Sequence, residues 1–167
     1  MTAVPTRLPR AIRLDASDAH VFERAAEPGE WAVTGSFAFA EIDPSLLKGK
    51  AQIAFKSAWL GLTSFGLTTL VEVAEITEAD FFAAVERLAR HLQADYGAPD
   101  LGLALAAARQ ELEDAAALCA HKTGTLLALE REPAEEGFVE RVRVIQPARA
   151  ADHAKIWEIV EDDSPEG

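Results

Sequence analysis

The segment T-E-A-D-F-F-A-A-V-E-R-L-A-R-H-L-Q-A-D-Y-G-A-P, residues 77–99, constrains the fold of this chain more than any other stretch. Thr77 stands where a helix N-cap belongs, and Asp80 takes the place of the glutamate in a capping box. Phe81, Val85, Leu88 and Leu92 then recur at helical spacing and form one apolar stripe. Glu86 and Arg90 make an outward i, i+4 pair, and Gly97 followed by Pro99 marks the end. A helix of this kind has to lay its stripe on another element. The preceding residues 67–76, L-T-T-L-V-E-V-A-E-I, are branched and apolar on both faces, which predicts a strand inside a sheet.

The other elements follow from the same signals. Residues 10–15 alternate as a first strand, and residues 20–25 and 31–40 read as a strand pair joined by E-P-G-E, with Gly29 suited to a type II turn. Asp43 before Pro44 is a helix start, and Leu47, Ala51, Ala54, Phe55, Ala58 and Trp59 predict a buried face on one helix over 43–59. Gly61 is then its C′ residue and Gly66 a turn residue. Lys48, Gln52 and Lys56 form the opposite face of that helix. Asp100 opens a third helix, alanine-rich and running to about 121, and residues 125–130 and 138–146 form a hairpin around a polar loop with Pro133 and Gly137. Strands precede, separate and follow the helices without alternating one to one. The pattern predicts an α+β fold, a mainly antiparallel sheet of about five or six strands with three helices packed on it.

A chain of 167 residues, 49% hydrophobic and 26% charged, is sized for one globular domain. We expect that domain over 1–147 and an acidic tail with an apolar anchor over 148–167. A single cysteine, Cys119, excludes an intramolecular disulfide and a zinc ribbon within the chain, and no stretch has the roughly 18 consecutive apolar residues of a membrane span. These features point to a cytoplasmic protein. The net charge of −12 argues against nucleic acid and anionic membrane as partners, which demand a basic surface.

Gly61 to Thr68, G-L-T-S-F-G-L-T, matches a phosphate-binding loop at every position but Leu67, where lysine belongs. The order of elements is inverted, since a phosphate loop follows a strand and opens a helix. We read the match as coincidence. Cys119 and His121 form C-x-H, but residues two apart on a helix point about 200° from each other, so we expect a buried thiol, with His121 near the last helix carbonyls. His20, His91, His121 and His153 show no ligand spacing, and no metal or cofactor is expected. Arg141 and Arg143 share one strand face, either as an anion platform or opposite acidic side chains on the neighbouring strand.

Trp31, Phe37, Phe39, Phe55, Trp59 and Phe65 lie in segments that could converge on one aromatic cluster, either core or the wall of a pocket reaching Thr68. Trp31, Phe37, Phe55, Trp59, Phe65, Thr68, Arg141 and Arg143 are therefore the candidate ligand-binding residues. The stretches G-E-W-A-V-T-G-S-F at 29–37, F-K-S-A-W-L-G-L-T-S-F-G-L-T-T-L-V at 55–71 and Y-G-A-P at 96–99 resemble a small bacterial family of unknown function, a likeness that spans about residues 10–147. The resemblance implies no activity, cofactor or site residue.

In the absence of a nucleophile–base pair, we expect a non-enzymatic accessory domain that binds a protein partner or a second copy of itself. The alternative is a small-molecule-binding protein or enzyme with an aromatic-lined pocket. The tail carries Ile156, Trp157, Ile159 and Val160 among six acidic residues at 151–167. We expect it to dock through Trp157, its acids turned toward the lysine face at Lys48 and Lys56.

Overall fold

The structure, a computed structural model, describes residues 3–13, 22, 24–147 and 157–161. The fold is α+β with three α-helices, and its strands divide between two antiparallel sheets instead of forming one. The main sheet has the order β1 (Arg7–Ile12), β5 (Leu70–Glu75), β6 (Leu126–Ala134), β7 (Gly137–Pro147) and β8 (Trp157–Glu161). The second consists of β2 (Ala32–Val33), β3 (Trp59–Gly61) and β4 (Leu67–Thr68).

The split occurs inside the apolar run read from sequence as one strand. Leu67 and Thr68 pair with Leu60 and Trp59, whereas Leu70 onward lies between β1 and β6. At the break the buried Thr68 hydroxyl reaches the carbonyls of Ile12 and Leu70, each at 3.2 Å, so the backbone can leave one ladder and join the other. Apolar content on both faces is satisfied by two sheets as well as by one.

The helix α2 (Glu78–Tyr96) forms as its local signals require. Thr77 accepts a hydrogen bond from the Asp80 amide, Phe81, Val85, Leu88 and Leu92 are buried, Arg90 meets Glu86 at 2.9 Å, and Gly97 closes the helix in the left-handed region. Asp100 caps α3 (Leu101–Ala117) through the Leu103 amide. Ala104, Ala108, Leu112 and Ala115 turn inward, and the three alanines let α3 settle closely beside α2. α3 ends before Cys119 and His121, which lie in the turn that follows it.

The region between β1 and β5 departs most from expectation. The helix predicted over 43–59 is a 3-10 turn (Pro44–Leu46), a break at Gly49, whose φ of 61° few other residues accept, and a short α1 (Lys50–Ser57). Ala51 is exposed and Trp59 is in a strand. Residues 31–40 contain only the two-residue β2 before turning into a 3-10 helix (Ser36–Phe39). β2 pairs with β3, and Ala25 bridges Leu67 in parallel, so the predicted hairpin across E-P-G-E does not form at Ala25. His20, Val21 and Glu23 of the predicted strand lie outside the described residues. The C-terminal hairpin is longer than predicted, with Pro133 inside the ladder opposite Phe138 and Glu135-Glu136 as the loop. β8 extends the sheet along β7, placing Trp157 opposite Pro147 and Glu161 opposite Arg143 in register. Glu158 lies opposite Gln146, whereas Asp152, Asp162, Asp163 and Glu166, with His153, lie outside the described residues.

Candidate functional site

Two charged side chains organise the second sheet, and both come from positions where the chain could have carried something apolar. On β6 the inward positions are Leu127, Leu129 and Arg131, and Arg131 is 1% exposed. Its guanidinium donates to the carbonyls of Phe55 (2.9 Å), Ala58 (3.2 Å) and Thr34 (2.5 Å) and to the Ser36 hydroxyl (3.1 Å). Glu140 accepts from Arg131 Nε at 3.2 Å and from the Ser36 hydroxyl, and the Phe39 ring lies 5.0 Å from the guanidinium carbon. Burial pulls the Arg131 pKa down and Glu140 opposes it. Two of the acceptors are carbonyls at the C-terminal end of α1, which an eight-residue helix leaves without internal partners. Sequence reading missed this residue, although its signal was there: a charge on the inward parity of an alternating strand.

The second is Glu30, 7% exposed. Its carboxylate accepts from the amides of Thr63 and Ser64, both 2.8 Å, and from the Glu27 amide and the Ser64 hydroxyl, both 2.6 Å. Burial works against the charged form, but the bonds from Ser64, Glu27 and Thr63 outweigh it and hold the Glu30 pKa below its ordinary value. The turn that resembles a phosphate loop thus spends its amides on an anion of its own chain. Both motif glycines are explained by close approach. A Cβ on Gly61 would fall 2.5 Å from Glu30 Oε1, and one on Gly66 would fall 2.6 Å from the Ala25 carbonyl. Gly61 is therefore a strand residue and not a helix cap. The positive φ of the turn belongs to Phe65, at 56°, whose ring stacks on His91 with centroids 3.8 Å apart. Burial lowers the His91 pKa, Asp95 at 3.0 Å opposes it and Arg24 reinforces it.

Between this turn and α2 lies a cleft of about 230 Å³ lined by Glu30, Trp31, Leu62, Thr63, Asp80 and Arg87 together with Gly29, Ala83 and Ala84. A second groove of about 290 Å³ runs over the β6–β7 hairpin at Glu130, Glu132, Val139, Glu140 and Arg141.

The eight candidate ligand residues do not meet in one pocket. Trp31, Phe37 and Phe65 pack around the helix core, Phe37 edge-on to Tyr96 at 5.1 Å and Trp31 5.8 Å from the Arg10 guanidinium. Trp59 is fully buried against Val71, Val73, Leu127 and Leu129. Phe55 sits edge-on between Phe39 and Phe138. Three separate packing sites replace the single aromatic cluster because α1 is too short to carry Phe55 and Trp59 on one face. Arg143 lies 3.1 Å from Glu130, and Arg141 lies 3.6 Å from Glu130 and 4.0 Å from Glu132, so the two arginines face the acidic strand beside them. Lys48 and Lys56 are exposed. Cys119 is buried, which pushes its thiol up to about 12 against the pull of Arg7. The His121 carbonyl accepts from Arg7 at 2.9 Å.

Glu111, on α3, is held up to about 6 by burial and by the nearby charges of Asp114 and Glu140. Among the described residues no three acidic, histidine or cysteine side chains are grouped as metal ligands, and no helix is long and apolar enough to cross a membrane.

A family model matches residues 6–161, and the chain belongs to that family, described as a family of unknown function (DUF6505). No curated protein and no solved structure matches the chain.

Proposed function

We propose that this member of a family of unknown function is a non-enzymatic cytoplasmic domain that works by contact with another protein, through the surface formed by residues 42–56. One observation carries the reading. In that stretch Ile42, Leu46 and Ile53 are 41%, 73% and 44% exposed, alongside the exposed Lys48, Lys50 and Lys56. The three lysines are the only ones in the first two-thirds of a chain whose net charge is −12. α1 buries Ala54 and Phe55 and turns Ile53 and Lys56 outward, so an apolar group and a cation project side by side. An apolar and basic surface on an acidic protein suits a partner segment that is acidic with apolar anchors. Two groups that could serve as nucleophile or general base have internal roles: Cys119 as a buried apolar side chain, Glu30 as the anchor of the turn at Thr63 and Ser64.

The test places a photo-crosslinking amino acid at Leu46, with Gln110 on α3 as control, in otherwise unaltered cells. A discrete protein adduct at Leu46 that Lys48→Glu with Lys56→Glu abolishes is the expected result, and a second copy of this chain is one admissible adduct. Sedimentation of the purified protein separates that case from a different partner. Equal, diffuse labelling at both positions would sink the reading.

A further inference from the structure

The cleft over α2 presents opposite charges at its two ends and small residues between them. Asp80, Ala83, Ala84 and Arg87 fall at i, i+3, i+4 and i+7, so they share one face of the helix, with the acid and the base separated by about 10.5 Å along the axis. That separation is too long for the pair to close on itself. Neither side chain has a hydrogen bond or ion pair among the described residues, although Glu86 and Arg90 on the same helix are joined at 2.9 Å. The alanines form a low floor. The facing wall is Gly29, Trp31, Leu62 and Thr63, with the indole and Leu62 supplying its apolar part.

This wall is held in place from behind. Glu30 fastens Thr63 and Ser64 through their amides, Leu62 donates its amide to the Trp31 carbonyl at 2.8 Å, and Gly29 donates to Ala11 of β1 at 2.8 Å. Glu30 is fully occupied by its four donors, so Asp80 is the carboxylate open to a ligand. The helix on the other side is anchored by its buried stripe. A cleft with both walls fixed asks little ordering of its own residues when it binds.

We propose that this cleft binds a small zwitterion of dipeptide size, its ammonium at Asp80 and its carboxylate at Arg87, with an apolar side chain against Trp31 and Leu62. The volume, about 230 Å³, has room for roughly eight waters, which suits a dipeptide and is small for a nucleotide. A guanidinium takes a carboxylate through paired hydrogen bonds, and an aspartate takes an ammonium, so each end of the ligand meets a charge of the opposite sign. A single α-amino acid separates its two charges too little to reach both ends. The site is independent of the surface at residues 42–56.

Calorimetric titration of the full chain with Ala-Leu, with N-acetyl-Ala-Leu and with Ala-Leu amide tests this. We expect Ala-Leu to bind with Kd tighter than about 1 mM. Each blocked form should bind about tenfold or more weakly, the size of one lost charge-assisted contact. Arg87→Gln should make the amide and the free acid equivalent, and Asp80→Asn should do the same for the acetylated and free amines. Both positions are exposed, and an unchanged thermal midpoint shows that the variants fold. Lack of binding by Ala-Leu overturns the proposal. So does binding that is indifferent to blocking or to both substitutions, and so does equal binding of leucine alone.

Discussion

The helical layer over residues 77–117 and the region over 24–69 are packed against each other, yet they are held by different forces. α2 and α3 carry their own caps, keep their apolar positions at helical spacing and bury Phe81, Leu88, Ala104 and Leu112 completely. The other region has two-residue strands, 3-10 turns and one eight-residue helix, none long enough to be stable alone. It buries Val33, Phe55, Trp59 and Leu62, and its segments are tied to one another by a pair of charges with distant partners: Glu30 reaches Thr63 and Ser64, and Arg131 reaches back to Thr34, Ser36, Phe55 and Ala58. Elements this short make few backbone hydrogen bonds of their own to fix their positions. Directional bonds to a buried charge can, since an ion left without them is costly.

The sharpest way to break this contrast is at Arg131. Arg131→Met keeps an apolar stem but leaves three carbonyls, Ser36 and Glu140 without their donor, and should cost about 3–5 kcal/mol by chemical denaturation. Hydrogen exchange should show protection lost in 24–69 while α2 remains protected; uniform loss would mean the two regions are one cooperative unit. Leu88→Ala attacks the other side. It should cost about 2–5 kcal/mol through transfer and cavity terms and loosen α2 and α3 together, and a loss below about 0.5 kcal/mol would show the stripe is not core.

Glu30→Gln keeps shape and removes charge, and should cost about 1–3 kcal/mol because an amide nitrogen now faces two of the four donors. The Glu30 pKa is lowered in the folded protein, so its contribution is present above the ordinary carboxylate value and is lost as pH falls through the folded value. A wild-type protein that loses stability in acid more steeply than Glu30→Gln is the expected outcome. Glu111 has the opposite sign. Its pKa is raised to about 6, so stability is lost as pH rises from about 4.5 through 6. Glu111→Gln should therefore stabilise at pH 8 by about 1 kcal/mol, after discounting for the partial exposure of the group, with little effect at pH 4. An unchanged midpoint at pH 8 would remove the idea that α3 carries an uncompensated acid.

The sequence by itself determined α2 and α3 with their caps, the α+β class, the C-terminal hairpin and the burial of Cys119. In each case the deciding information lies within a few residues: Thr77 with Asp80, Asp100 with Leu103, the 3.6-residue recurrence of Phe81, Val85, Leu88 and Leu92. The break at Thr69, the short α1 and the separation of Phe55 from Trp59 were not legible, because an amphipathic pattern over 43–59 reads as helix whether or not Gly49 interrupts it. Only the tertiary structure decided what the turn at 61–68 is for. Its spacing of glycines matched a phosphate loop, but the glycines answer to Glu30 and to the Ala25 carbonyl, contacts that span more than thirty residues of chain. The same holds for Arg131, whose strand parity was visible while its acceptors were not. Local periodicity and capping act between neighbours in the chain and can be read there. A buried charge is satisfied by whichever donors or acceptors the fold brings to it, and those are set by packing between segments that the sequence keeps far apart.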